Sequence, residues 1–318
     1  MKRIATYLII LLMVAGLCSA CGAAPEAAPA VTEIPVTAPP PATQPPATQP
    51  PATQPPATEP PETVPTEPPV LEVELPEPDN SDFVRVRDYI PDIFVELRYA
   101  TEDNFTGQTI YPFQELWLRY GTVQKLARVQ DALREQDLYL KVWDGFRPVS
   151  AQFALWEVCP NPTYVANPNG GYSSHSRGNT IDLTVVDAEG NELTMPTGFD
   201  DFSKKANRDY GDVSAEAAQN ARLLERAMKD AGFSSIYSEW WHFVDTQSYA
   251  PEKVFQPIDQ TLYTCSRAVA LLDCNGQAFA YIPREETFPA VALDGSQILV
   301  EYRGVLGYVK ADCVTPAA

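Results

Sequence analysis

Ser173-Ser174-His175-Ser176-Arg177-Gly178-Asn179-Thr180-Ile181-Asp182 decides the reading of this chain, together with Glu239-Trp240-Trp241-His242 sixty residues downstream. The sequence holds two histidines, and each falls in one of these segments beside an acidic residue. A hydrolytic zinc centre needs three protein ligands, an open fourth position and a carboxylate that takes a proton from water. His175, Asp182 and His242 supply a ligand set of the right chemistry, and Glu239 supplies the base.

The spacing gives this stretch a local shape. From Thr180 the pattern alternates, with Ile181, Leu183 and Val185 apolar and Thr180, Asp182 and Thr184 polar. That is a strand, burying its odd residues and aiming Asp182 into a polar space. His175 lies seven residues earlier, so a loop must fold it back to the same side, and Gly178 permits the turn. Glu239 and His242 stand three apart, which a regular strand would send to opposite faces. Glu239 is therefore expected on an irregular entry to the strand. One of Trp240 and Trp241 is expected in the core, the other as a wall that raises the basicity of Glu239.

Around this centre the chain reads as a mixed domain. Phe83, Val84 and Val86, then Ile93, Val95 and Leu97, alternate with polar residues and predict strands. Thr122 is placed to cap a helix running to about Gln136, with Val123, Leu126, Val129 and Leu133 inward. A strand over Tyr139–Trp143 ends in Asp144-Gly145-Phe146-Arg147-Pro148, and a helix is expected over Ser150–Val158. Arg147 precedes a proline, so its backbone is extended, and a fixed guanidinium there suits an oxyanion or a salt bridge to Asp144. Either Asp200 or Asp201, in Phe199-Asp200-Asp201-Phe202, could anchor a positive group. Ser214 caps a helix that Gly232 ends.

The two ends differ in composition. Met1-Lys2-Arg3 and the apolar run Ile4–Leu17 form an export signal, too short to span a membrane. Leu17-Cys18-Ser19-Ala20-Cys21-Gly22 resembles a lipoprotein cleavage site, with Cys21 the lipidated residue and Cys18 where Leu is usual. The chain is thus expected outside the cytoplasm, on the outer face of the membrane. Residues 22–80 are rich in Pro, Ala, Thr and Glu, with Pro-Ala-Thr-Gln-Pro at 41–45, 46–50 and 51–55. Such a segment has no core to form and reads as an extended spacer reaching at most roughly 180 Å. Most of the 31 prolines lie there, so they say nothing against a globular remainder.

What remains, roughly 240 residues, accommodates one medium domain over 81–255 and a small one over 256–318. The net charge of −19 argues against nucleic acid or an anionic membrane surface as partner. Cys159, Cys265, Cys274 and Cys313 remain after export and have three ways of pairing. No two of these four are spaced as Cys-x-x-Cys, which argues against cysteine-ligated zinc. Short strands recur in the C-terminal piece (Ala268–Leu272, Ala278–Ile282, Ile298–Tyr302, Val305–Val309). Gly307-Tyr308-Val309-Lys310 resembles the end of bacterial SH3-like barrels, which commonly bind cell-wall material.

The ordered motifs Asp144-Gly145-Phe146-Arg147-Pro148, Ser173-x-His175-(x)6-Asp182 and Glu239-Trp240-Trp241-His242 resemble the zinc D-alanyl-D-alanine dipeptidases. Tyr99–Gly107, Phe199–Phe202 and Ala231-Gly232-Phe233 support the match, which covers roughly residues 82–250. The resemblance implies an α+β fold of the Hedgehog and D,D-peptidase type, followed here by the SH3-like barrel. It implies one zinc ion on His175, Asp182 and His242, with Glu239 as base then acid and Arg147 stabilising the tetrahedral intermediate. Ser173 and Asp200 would hold the substrate's ammonium end. The implied substrate is D-Ala-D-Ala or a short D-Ala peptide. A D,D-carboxypeptidase trimming stem peptides, and an inactive zinc-containing wall-binding protein, are the alternatives.

Overall fold

In a computed structural model the protein is described over residues 71–317 except residue 163. The segments read as an export signal, a lipidation site at Cys21 and a repetitive spacer lie outside the described residues.

The functional half is built on a five-stranded sheet of order β2-β4-β5-β7-β6. Its strands are β2 (Phe94–Val95), β4 (Tyr139–Asp144), β5 (Thr180–Val186), β6 (Phe233–Ser235) and β7 (His242–Asp245). Only the β2–β4 pair is parallel. Two helices, α1 (Tyr120–Arg134) and α3 (Ala215–Asp230), pack on one another and against the sheet. Val123, Leu126, Val129 and Leu133 of α1 recur at helical spacing and are all buried, forming the stripe that closes the core. A third helix, α2 (Val149–Val158), follows the β4 turn, and a small ladder pairs β1 (Phe83–Arg85) with β3 (Trp117–Arg119).

Several local expectations shift. Thr122 does not cap α1: the helix begins at Tyr120, and the Thr122 hydroxyl instead donates to Asp245 Oδ2 at 2.9 Å. The strands expected over 83–97 are two short pieces, each followed by a tight helical turn, at Val86–Asp88 and at Arg98–Ala100. Both faces of β5 are buried, so its polar residues face the protein interior rather than solvent. Trp240 and Trp241 do not divide between core and pocket wall; both are 0% exposed. Ser214 caps α3, accepting from Ala217 N–H at 3.1 Å.

The C-terminal region is all β: a seven-stranded sheet of order β10-β9-β13-β12-β11-β8-β14. Its strands are β8 (Phe255–Thr264), β9 (Val269–Leu272), β10 (Ala278–Ile282), β11 (Thr287–Asp294), β12 (Gln297–Tyr302), β13 (Val305–Lys310) and β14 (Thr315–Pro316). Strands β10 and β14 end the order with no ladder between them among the described residues, so no closed barrel is found. The cysteines Cys159, Cys265, Cys274 and Cys313 are all free, so none of the three pairings forms. In place of a disulfide, the small sheet has its own apolar core around Leu271, Ile282, Phe288 and Val300.

The described chain starts within the segment read as spacer, and its first residues are tied down. Leu71 N–H donates to Arg303 O at 3.1 Å, and Glu77 Oε1 accepts from the Tyr120 hydroxyl at 2.6 Å. This stretch therefore touches both the C-terminal sheet and α1.

Gly178 closes the His175 turn with φ +76, and a Cβ there would sit 2.5 Å from the Phe83 ring. Gly107 has a similar φ of +64 but open space around it. Gly178→Ala should therefore lower unfolding free energy by about 1–3 kcal/mol, and Gly107→Ala by less. Urea titrations of both variants measure the difference, and equal losses would leave no role for the ring contact.

Candidate metal centre

Three strands bring three side chains level. In the sheet register Asp144 pairs with Asp182, and Asp182 pairs with His242. Directly opposed residues on neighbouring strands project to the same face. The register thus forms a row Asp144–Asp182–His242 across β4, β5 and β7, and all three are buried.

His175 reaches this row from the tight turn Ser174–Arg177, whose left-handed end is Gly178. Its Nδ1 lies 2.9 Å from Gly145 O. A carbonyl only accepts, so Nδ1 carries the proton and Nε2 offers its lone pair. That Nε2 is 3.3 Å from Asp182 Oδ2, and His242 Nδ1 is 2.9 Å from Asp182 Oδ1. One ligand atom each from His175, Asp182 and His242 lie within 4.8 Å of one another. Tetrahedral zinc with bonds of about 2.1 Å sets its ligand atoms roughly 3.4 Å apart, so this donor set fits. The carbonyl that fixes the His175 ring supplies the outer support that metal-binding imidazoles use.

Electrostatics agree with the geometry. Burial opposes ionisation of Asp182, but the two facing imidazoles outweigh it and hold the carboxyl well below its usual range. Burial likewise opposes charge on His175, and Asp182 and Asp144 outweigh it to raise the imidazole. Glu239 stands just before β7, its Oε2 3.7 Å from His242 Nδ1, its side chain 26% exposed. Among the described residues it has no hydrogen-bond donor. Burial raises its pKa, against the pull of His242. It is a carboxylate of raised basicity beside the ligand cluster. The irregular approach to β7 is pinned by Arg208, which donates to Ile236 O at 2.7 Å and to His242 O at 2.9 Å.

Arg147 is buried and held on three sides. Its Nη2 donates to Asp144 Oδ2, its Nη1 to Gln152 Oε1 at 2.9 Å, and its Nε to the Tyr111 hydroxyl at 3.3 Å. Tyr111 donates in turn to Asp144 Oδ1 at 2.6 Å. Of the five guanidinium N–H groups these bonds occupy three, leaving one on each terminal nitrogen. The salt bridge with Asp144 and a role toward an oxyanion are therefore compatible. Burial works against the charge, but Asp144 more than compensates.

Of the two candidate anchors, Asp200 turns inward. It accepts from the Tyr99 hydroxyl at 2.7 Å, and burial pushes its carboxyl up to about 7. Asp201 only accepts from Ser203 N–H at 2.8 Å in an exposed loop. Ser173 is buried, its Oγ accepting from His175 N–H at 3.3 Å. The residues not foreseen are Asp144 as a neighbour of His175 (3.4 Å), and Tyr99, Tyr111, Gln152 and Arg208. Asp144 had a signal, an acid ending an otherwise apolar alternation in β4, and Tyr99 stood in a segment that supports the resemblance without a role of its own. The others come from loops and helices whose meeting depends on tertiary packing.

The chain matches the model of the D-ala-D-ala dipeptidase family over residues 79–260. It is 39% identical over 165 residues to the D-alanyl-D-alanine dipeptidase of Escherichia coli (strain K12), covering 52% of this chain and 85% of that protein. With the D-alanyl-D-alanine dipeptidase of Enterococcus faecium it shares 32% over 180 residues, 50% of this chain and 89% of that protein. A solved structure described as VanYB in complex with D-Alanine-D-Alanine overlaps 49% of this chain and 78% of that chain, at 16% identity and a TM-score of 0.28.

If the three side chains share one zinc ion, adding Zn2+ at a hundred times its Kd should stabilise the protein by about 2.7 kcal/mol. His242→Ala should abolish the rise in melting temperature. A wild-type melting temperature indifferent to Zn2+ would contradict the shared site. On the match of family model and relatives, with the motif residues gathered at one centre, the chain belongs to the D-ala-D-ala dipeptidase family.

Proposed function

We propose that this protein is a zinc-dependent dipeptidase that hydrolyses D-alanyl-D-alanine in peptidoglycan metabolism. The observation that carries the reading is the convergence of His175 Nε2, Asp182 and His242 Nδ1 beside the carboxylate of Glu239. The family and the names of the relatives supply the substrate.

His175, Asp182 and His242 would hold the ion. Bound there, zinc lowers the pKa of water toward neutrality and polarises a carbonyl. The remaining steps belong to the chain's own groups. Glu239 takes the proton of the attacking water, then passes it to the leaving amine of D-Ala. Arg147 turns its two uncommitted N–H groups to the oxygen that becomes negative in the tetrahedral intermediate. Its partners Asp144, Gln152 and Tyr111 keep it in place, so little reorganisation accompanies the reaction. Asp200 and Ser173 receive the dipeptide's ammonium, which favours the ionised form of Asp200.

The cell-wall setting is part of the same proposal. The basic start and apolar run of Met1–Leu17 support export, and Cys21 supports a lipid anchor on the outer face of the membrane. Pro-rich repeats would then act as a stalk. Gly307-Tyr308-Val309-Lys310 supports an SH3-like, wall-binding role for the C-terminal sheet.

Glu239→Gln should bind zinc as the wild type does yet lose about 10²–10⁴-fold in kcat on D-Ala-D-Ala. Wild-type turnover in that variant would remove the base assignment. Asp200→Asn should mainly raise KM, and its steady-state kinetics check this; a pure kcat loss would move Asp200 out of substrate binding. A D,D-carboxypeptidase would prefer a pentapeptide ending in D-Ala-D-Ala. Assaying both substrates separates the two activities, and preference for the pentapeptide would overturn the dipeptidase reading.

A further inference from the structure

The family match ends at residue 260, inside β8, so that Phe255 falls within it and β9–β14 lie wholly beyond it. This extra sheet has two apolar faces. One forms its own core, which includes Val300. The other, through Phe255, Val291 and Leu299, joins Phe83, Trp117 and Phe146 in a separate buried cluster.

Phe146 is the telling member. It is 2% exposed, its ring centroid 4.4 Å from that of Phe83 and 6.0 Å from that of Phe255. Phe83 and Phe255 stack at 4.6 Å. In the chain Phe146 stands between Gly145, whose carbonyl orients the His175 ring, and Arg147, whose backbone N–H donates to His175 O at 3.3 Å. A side chain locked on one side of an extended turn fixes the carbonyl before it and the side chain after it. A second tie runs to the same place: Glu252, just ahead of β8, donates its N–H to Ser176 O at 2.7 Å, inside the His175 turn. Its carboxylate accepts from Phe255 N–H at 3.2 Å and from Arg119 Nη2 at 3.0 Å.

We infer that the C-terminal sheet is a positioning element of the active centre, holding the Gly145–Arg147 turn through the packing of Phe255 and Leu299 around Phe146. It acts on the metal through the Gly145 carbonyl and on the reaction through Arg147, the latter resting on the proposed function. The sheet is thus part of the enzyme's working structure, whatever its outer surface binds.

Neighbouring residues of β12 allow a test in the full-length protein, because Leu299 faces the Phe146 cluster and Val300 the sheet's own core. Both Leu299→Ala and Val300→Ala should lower stability. Only Leu299→Ala should reduce kcat, by about 10-fold with KM within about twofold, since small displacements at a reacting centre are costly. It should also raise the zinc Kd several-fold in competition with a chelator, a readout independent of turnover. Phe255→Ala should behave as Leu299→Ala does, with Phe255→Leu restoring most of the loss, and this pair decides the matter if Leu299→Ala fails to fold. Matching kcat and zinc Kd in the Leu299→Ala and Val300→Ala variants would overturn the inference, as would Phe255→Ala with wild-type values. If the wild type cleaves no D-Ala-D-Ala, the proposed function falls, and the zinc comparison alone still decides whether the sheet positions the turn.

Discussion

A carboxylate buried between two imidazoles is the constraint on which the rest of the structure depends. Charge removed from water is costly unless it is paired. Asp182 has His175 on one oxygen at 3.3 Å and His242 on the other at 2.9 Å. The arrangement exists only because β4, β5 and β7 lie in register, placing Asp144, Asp182 and His242 in one row. A slip of one residue in β5 would turn Asp182 to the opposite face and leave both histidines without it. The helices α1 and α3, with their apolar stripes against the sheet, serve that register.

Around the row, the buried charged groups bond to one another and to polar neighbours rather than to solvent. Asp144 accepts from Tyr111, Gly145 N–H and Arg147, and Arg147 in turn reaches Gln152. Gln152 is itself anchored, its amide donating to Ala166 O at 2.7 Å. Such a network holds its members before substrate arrives, which is how electrostatic stabilisation avoids reorganisation at the moment of reaction. Glu239 is the exception. It keeps a carboxylate without a donor, and a proton carrier needs that freedom.

Much of the centre was legible because its chemistry is local in sequence. Two histidines, each beside an acid, named the candidate ligands, and the period-two pattern after Thr180 placed Asp182 on a strand. Gly178 foretold the turn that returns His175, and the three-residue spacing of Glu239 and His242 foretold an irregular entry to β7. What stayed hidden depended on distant partners. Thr122 looks like a helix cap until Asp245 appears 123 positions away to take its hydroxyl. Tyr111 and Gln152 give no local sign that they converge on Arg147. Four of the C-terminal strands (β9, β10, β12 and β13) were readable one by one while β8, β11 and β14 were not, and strand pattern does not settle whether a sheet closes. Here the sheet leaves β10 and β14 at its ends and spends one face on Phe146.

The most direct test of the account is X-ray absorption at the zinc edge of the zinc-loaded, full-length protein. The account predicts two imidazole nitrogens at about 2.0–2.1 Å, oxygen at about 2.0–2.2 Å and no sulfur. Sulfur scattering near 2.3 Å, or a shell without imidazole, would contradict it.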